Sequence, residues 1–555
     1  MKDPADLCEL LDARAADNPS GLAYTFLPDG EEEGATLTWG DLDRQSRLLA
    51  ARLVRSCSPG DRVLLVFPAG PDFIVGFFAC LRAGLIAVPV AGPAGSRASH
   101  GVDRLRSIAS DARPSVVLSS REGLQRWGGV LAGTLPSLPL LAVDDPGIDA
   151  TDTGSFGAAP SALAFLQYTS GSTASPRGVM VTHANVLHNL RCGFEGAGTP
   201  RGAPSVSWLP HTHDMGLIEG ILQPVYGGGP AYLMPPAAFV QRPVRWLRAI
   251  SRYRGQRSGG PDFAYDLARS RTTTGDRRSL DLSSWTTAFN GAEPIRSETL
   301  DAFARAFAPC GFRASSLVAC YGLAEATLLV SNRRWDGAQG SAIPCGDPIA
   351  DTSLRIVDPE NGGACRDGVI GEIQVSGPGV AAGYWGQPEL TRKTFVVDPA
   401  TGCRWLRTGD LGSRTDRGVV VSSRLKDVLI VRGAKHFPQD LEHTAQRLHP
   451  AIRPGSVAVV AVARAVEGDL LALVAEADPR TLDPAEHEPL ITRLRSAIAE
   501  AHGVQLHGVA LVAPGQVPRT PSGKLQRFLC RETWLRNGFT TLAIWMARPL
   551  LANTA

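Results

Sequence analysis

Residues 166–181 read Leu-Gln-Tyr-Thr-Ser-Gly-Ser-Thr-Ala-Ser-Pro-Arg-Gly-Val-Met-Val. An apolar strand feeds a loop of hydroxyl residues and glycines, and a second apolar strand follows. Thr169, Ser170, Ser172 and Thr173 can donate hydrogen bonds to phosphate oxygens, and Gly171 lets backbone amides approach closely. Arg177 supplies the positive charge that a leaving pyrophosphate needs. The Walker pattern GxxxxGK[ST] is absent. Taken alone, a Ser/Gly-rich surface turn accounts for the same composition equally well. The basic residues carry a second signal. Only five lysines occur, Lys2, Lys393, Lys426, Lys435 and Lys524, among 56 basic residues. A chain that uses arginine wherever a generic positive charge serves keeps lysine where a compact, flexible ammonium is needed. Lys2 and Lys393 read as drift. The other three lie in glycine-punctuated C-terminal segments.

The elements that must position these residues alternate. Residues 37–55 predict a helix with Thr38 as its cap. Arg62–Phe67 predicts a strand, Pro71–Leu81 a helix and Leu85–Val90 a strand. Asp103–Ser110, Ser115–Leu118 and Leu138–Val143 continue the series. This spacing predicts an α/β fold with a largely parallel sheet covered by helices. The alternation runs on to about Val330. Residues of about 345–422 carry short strands and turns, and predict a smaller β-rich subdomain. Past Lys426 the alternation resumes as a compact α+β unit. The expected division is therefore 1–424, a large N-terminal core, and 425–555, a small mobile C-terminal domain.

Composition excludes several classes. The chain has 555 residues, 44% of them apolar and 20% charged, with a net charge of +2. That is a soluble globular composition with no field directed at nucleic acid or an anionic membrane. Ten cysteines without a CxxC pattern predict reduced, mostly buried thiols in a cytoplasmic protein and no structural zinc. The apolar stretch Phe73–Pro89 is broken by Arg82 and Gly84 and is too short for a membrane span. The start of the chain lacks the features of a signal peptide.

Several further motifs occur in order. They are Trp208-Leu-Pro-His-Thr-His-Asp-Met-Gly-Leu217, Gln241-Arg-Pro-Val-Arg-Trp246, Gly259-Gly-Pro-Asp-Phe-Ala-Tyr265, Asn290-Gly-Ala-Glu-Pro294 and Tyr321-Gly-Leu-Ala-Glu-Ala-Thr327. Leu406-Arg-Thr-Gly-Asp410, Arg424-Leu-Lys-Asp427 and Thr520-Pro-Ser-Gly-Lys524 follow. With the loop at 169–173, they resemble the adenylate-forming superfamily of acyl- and aryl-CoA synthetases and adenylation domains, and within it the fatty acyl-AMP ligase branch. The resemblance implies that ATP and a carboxylic acid, of a fatty or other hydrophobic class, give an acyl-adenylate and pyrophosphate. It further implies that the acyl group then passes to the phosphopantetheine thiol of an acyl carrier protein.

The resemblance also implies roles. Thr169, Ser170, Gly171, Ser172, Thr173 and Arg177 would hold the β- and γ-phosphates. Gly291, Ala292, Glu293 and Pro294 would border adenine, with Tyr321 and Gly322 beside the base. Thr327 would contact the α-phosphate and Glu325 would ligate Mg2+. Asp410 would take the ribose hydroxyls, and Arg424 would add a contact to ribose or phosphate. Lys524 would bridge the attacking carboxylate and the α-phosphate. His213, Asp214, Met215, Gly216, Gly260 and Asp262 would line the acyl site, and Lys426 would mark the hinge. Lys435 and His436 would lie on an acceptor-facing surface or on a solvated turn. Blander readings stand beside these: Asp410 as a turn residue, Glu325 as a helix cap, and His213 as a satisfied core histidine.

Three departures from the pattern bear on the acceptor and the substrate. Ala174 and Arg177 stand where relatives usually have glycine and lysine. Asp262 replaces a common asparagine. The segment Ser331–Pro344 is too short for the insertion that is thought to disfavour coenzyme A, which keeps an acyl-CoA synthetase open as the alternative. A non-catalytic nucleotide-binding protein is the alternative of another class, and Asp410, Arg424 and Lys524 speak against it. The chain is expected to act as a monomer or homodimer.

Overall fold

The strands Arg62–Leu65, Ile86–Pro89 and Val116–Ser119 are almost wholly buried, as strands covered on both faces by helices must be. They lie in parallel in a six-stranded sheet. The sheet ends in β1 (Leu163–Thr169) and β2 (Arg177–Thr182), which pair antiparallel with Thr169 opposite Arg177. The computed structural model describes residues 4–93, 98–145, 163–169, 176–337, 343–465, 468–520 and 523–547.

An eight-stranded sheet packs into the same core and contains β3 (Ser205–Ser207), β4 (Arg257–Gly260), β5 (Thr287–Asn290), β6 (Leu317–Gly322) and β7 (Leu329–Arg334). β3, β4, β5 and β6 are parallel neighbours, and β7 returns antiparallel to β6. The helix α1 (Asp262–Arg271) leaves β4 after one proline, and α2 (Ser297–Phe307) follows β5 after a short loop. A smaller antiparallel sheet holds Ser353–Val357, Gly371–Ser376, Phe395–Val397, Arg404–Thr415 and Gly418–Arg424, in line with the β-rich character expected there.

The expected helix at 37–55 is observed as Trp39–Leu53. Thr38 accepts from the Asp41 amide and Asp41 reciprocates, forming a capping box. The apolar stretch from Phe73 is a buried helix followed by a strand. Its interrupting Arg82 is buried at 4% exposure and pairs with Asp12 at 2.6 Å and Asp43 at 2.5 Å. Among the described residues, no helix is long and apolar enough to cross a membrane. All ten cysteines are free, and seven of them are buried.

The chain divides into two compact units, one running to Thr408 with 413–421, the other holding 409–412 and the residues from Ser422 onward. The second unit is built on a six-stranded sheet that includes Ile452–Ala465, Gly468–Ala477 and Leu506–Val512. Alternate residues of these strands face opposite ways. Leu471, Leu473 and Ala475 pack with Leu490, Ile491, Leu494 and Ile498 of the helix His487–His502. Ala472 and Val474 pack with Cys530 and Trp534 of the helix Arg527–Leu535.

Candidate active site

In the first unit, four of the sequence motifs leave the carboxyl ends of parallel strands. Trp208 follows β3, Gly260 ends β4, Asn290 ends β5, and Tyr321 and Gly322 end β6. That edge of an open parallel sheet is where α/β proteins place their ligands. Glycine is required in these segments by close backbone approach. A Cβ on Gly216 would lie 1.9 Å from the Pro210 carbonyl oxygen, and one on Gly260 would lie 2.7 Å from the Trp208 ring. On Gly322 it would lie 1.7 Å from the Leu328 carbonyl oxygen, and on Gly291 2.9 Å from that of Cys320.

The Tyr321–Thr327 segment turns sharply after β6. A 3-10 turn spans Ala324–Ala326, and Thr327 adopts φ 69° and ψ −64°, the strained γ-turn conformation, closed by the Leu328 amide donating to the Ala326 carbonyl at 2.8 Å. Thr327 is buried, and its hydroxyl donates to the Gly379 carbonyl at 2.7 Å. The strand β7 follows instead of a helix, so Glu325 is not a helix cap. The Glu325 Oε1 accepts from the Tyr384 hydroxyl at 2.9 Å, and its backbone carbonyl accepts from Ala381. Tyr384 also lies under the Arg177 guanidinium, 5.8 Å from the ring centroid, while Gly383 and Trp385 bond to β2 through Met180 and Gly178. Tyr384 thus ties Arg177, at the start of β2, to Glu325 after β6. Burial and the adjoining Glu325 carboxylate push the Tyr384 hydroxyl well above its usual range, so it stays a hydrogen-bond donor. No spacing rule in the sequence singles out this tyrosine.

Of the phosphate-loop residues, Ser170, Gly171, Ser172 and Thr173 lie outside the described residues, and Thr169 is placed by its backbone in β1.

The Asn290–Pro294 segment carries Ala292 at φ 75°. Glu293 Oε1 accepts from the Phe263 amide at 2.7 Å. Asp262, 4% exposed, accepts from Asn290 Nδ2 at 3.0 Å, the Arg296 amide at 3.4 Å and the Thr299 hydroxyl at 2.9 Å. Burial, reinforced by the Glu293 charge, pushes its carboxyl up to about 7. Asp262, expected at the acyl site, is bonded to the strand end and helix start that flank residues 291–295.

In the segment after β3, Trp208 stacks on Phe239 with centroids 4.0 Å apart. The His213 Nδ1 lies 2.6 Å from Asp214 Oδ1, and Asp214 also accepts from the Met215 amide, while Met215 is buried. His211 packs on Phe73 with centroids 4.3 Å apart, and burial lowers its imidazole to about 4, so the ring is neutral near pH 7. Gln167 of β1 donates to the Thr212 carbonyl and holds this segment to the first sheet.

In the second unit, Asp410 is buried and its Oδ1 lies 3.2 Å from Nε of the exposed Arg424. Lys426 is exposed on the 3-10 turn Leu425–Asp427. Asp427 at the end of that turn pairs with Arg527, which is also held by Glu442 at 2.6 Å. Lys524 is half-buried in a turn closed by the Arg519–Leu525 bridge. Its amide donates to the Thr520 hydroxyl and its carbonyl accepts from the Thr520 amide. Gly523 before it has φ +87°, a conformation that glycine tolerates and lysine would not.

The chain matches the family of AMP-binding enzymes over residues 11–385, and a second family, described as Disco-interacting protein 2-like, AMP domain, over residues 426–543. It is similar to the medium-chain-fatty-acid–[acyl-carrier-protein] ligase JamA of Moorena producens, with 37% identity over 98% of this chain and 96% of the relative. It is also similar to the ligase of the same description, TtuA, of Teredinibacter turnerae, with 35% identity over 95% of this chain and 93% of the relative. Among solved structures, the fatty acyl-adenylate ligase from L. pneumophila in complex with acyl adenylate and pyrophosphate shares 35% identity at a TM-score of 0.72, covering 98% of each chain. A structure from a study of fatty acyl-adenylate ligases from E. coli and L. pneumophila superposes at a TM-score of 0.87, with 31% identity over 96% of this chain and 98% of that one. With four of its motifs at the carboxyl ends of the parallel strands and similarity running nearly end to end, the chain belongs to the AMP-binding enzyme family.

Proposed function

We propose that this protein activates a carboxylic acid of the fatty or other hydrophobic class as its acyl-adenylate, consuming ATP and releasing pyrophosphate, and passes the acyl group to the phosphopantetheine thiol of an acyl carrier protein. The observation that carries the proposal is the near full-length similarity to two acyl-carrier-protein ligases, joined to the polar cluster of Arg177, Tyr384 and Glu325 beside the sheet edge.

The chemistry brings two anions together, so the protein's task is to neutralise and align. Arg177 faces the leaving pyrophosphate with Thr169 and residues 170–173. Residues 291–294 border the adenine, with Tyr321 and Gly322 at the base. Thr327 contacts the α-phosphate. Asp410 accepts from both ribose hydroxyls, as a carboxylate can, with Arg424 adjoining. Lys524 neutralises the attacking carboxylate and the α-phosphate. Glu325 would hold a magnesium ion: Tyr384 orients its carboxylate through one oxygen, and a carboxylate is the hard oxygen donor that such a cation takes. When bound, the ion supplies charge neutralisation at the phosphates. His213, Asp214, Met215, Gly216 and Gly260 line the acyl side. Lys426 lies at the point where the second unit turns between the two half-reactions, a motion that lets one site serve two steps.

A second reading, transfer to coenzyme A, is favoured by one observation: the short Ser331–Pro344 segment. The deciding experiment follows acyl transfer by mass spectrometry, with holo carrier protein and coenzyme A offered together and a medium-chain acid as substrate. Acyl-carrier protein as the dominant product is expected. Acyl-CoA in excess would transfer the assignment to the second reading.

A further inference from the structure

The carboxyl of Asp262 lies where the ends of the 291–295 loop meet. Its Oδ1 accepts from Asn290 Nδ2, at the end of β5, and from the Arg296 amide, just before α2. Its Oδ2 accepts from the Thr299 hydroxyl in the first turn of α2. The loop itself sends Glu293 back to the Phe263 amide, at the start of α1. Asp262 therefore ties the start of α1 to the segments on either side of the loop, and Glu293 ties the loop itself back to α1. Asn290 is fully buried, and its own Oδ1 is left without a hydrogen-bond partner among the described residues. Its amide nitrogen faces Asp262, the one bond that the side chain makes among the described residues. The loop needs such fixing, because Ala292 is held in a left-handed conformation that an alanine does not adopt unaided.

We propose that Asp262 is a positioning residue for nucleotide binding: it holds both ends of the 291–295 loop, with Glu293 as the return tie, so that the loop presents a preformed surface to the adenine. Granted that residues 291–295 face the nucleotide, as proposed above, the brace acts on ATP affinity rather than on the chemical step. The charged and titratable groups around Asp262 are Glu293, Arg296 and Tyr265. Asparagine is the isostere that preserves the brace. Its Oδ1 would keep both bonds at the loop ends, and its Nδ2 would donate to the Thr299 oxygen.

The test is the ATP dependence of acid-driven pyrophosphate release for the wild type and the variants Asp262→Ala, Asp262→Asn and Thr299→Val, with thermal melts as a folding control. Asp262→Ala is expected to raise the KM for MgATP about tenfold with kcat changed less than about threefold, and Thr299→Val to raise it about twofold. Asp262→Asn is expected to stay within about twofold of the wild type. A folded Asp262→Ala with an unchanged KM overturns the inference, and so does Asp262→Asn failing as badly as alanine. If Asp262→Ala does not fold, an unchanged KM in Thr299→Val overturns it. Direct titration with ATP separates this result from the functional reading. A wild type that binds ATP but releases no pyrophosphate with any acid defeats the proposed reaction, and the affinity ratio between wild type and variants still tests the brace.

Discussion

The groups assigned to the reaction in the first unit and those in the second are built on opposite principles. Around the carboxyl ends of β4, β5 and β6, four polar candidate side chains are tied down. Glu325 is held by Tyr384, Thr327 by Gly379, Glu293 by Phe263, and Asp262 by three donors. The glycines there admit no side chain. In the second unit, Lys524, Lys426 and Arg424 ride on turns or strand ends with half-exposed or exposed side chains. Only Asp410 among them is buried. A preorganised surface suits a nucleotide, whose shape is constant. Cations on half-exposed turns and strand ends suit charges that appear and depart during the reaction. The difference predicts which substitutions damage the fold and which damage the rate alone.

The largest effect is expected at Lys524. Lys524→Ala should lower the rate of acid-dependent pyrophosphate release about 10²–10³-fold and leave the melting temperature unchanged. Lys524→Arg should not restore the rate, because a planar fork cannot take the place of a compact ammonium. A loss of stability in either variant would break the contrast between the units. Gly216 gives the opposite outcome. Gly216→Ala places a Cβ 1.9 Å from the Pro210 oxygen and should destabilise the first unit by roughly 2–4 kcal/mol in a denaturant titration.

Tyr384 sharpens the comparison. Tyr384→Phe keeps the ring under Arg177 and removes the hydroxyl's bond to Glu325 together with its contact to Arg177, so the KM for MgATP should rise about five- to tenfold with little change in stability. An unchanged KM would show that Glu325 needs no orientation.

The smallest effect concerns pH. The folded Asp262 carboxyl is raised from 3.8 to about 7 by burial and by Glu293, so the native state keeps a proton that the unfolded chain releases. Its contribution to stability is fullest below pH 3.8 and is lost as pH rises through about 7. Asp262→Asn lacks that ionisation. Its melting temperature should exceed the wild type's by about 2–4 °C near pH 8, with the gap closing towards pH 5.

Much of this was legible in the sequence because it is local. The Thr38 cap, the buried helix and strand after Phe73 and the alternation of strands and helices follow from neighbouring residues, and the glycine preceding Lys524 announces its turn. What was not legible is pairing between distant residues. Tyr384 meets Glu325 across 59 positions and Arg257 forms a buried bidentate pair with Glu219 across 38, and no periodicity links them. Asp262 was visible as a departure, yet its direction depends on Asn290 and Thr299, which only the sheet order brings alongside. Glu325 has the local setting of a helix cap, but a strand follows the turn.

Adenylation is tested most directly by pyrophosphate release from purified protein with ATP, magnesium and a panel of fatty and aryl acids, in the absence of any thiol. Pyrophosphate that depends on the acid, together with an acyl-AMP of matching mass in the quenched reaction, is the predicted result. ATP binding without acid-dependent pyrophosphate across the whole panel would contradict it.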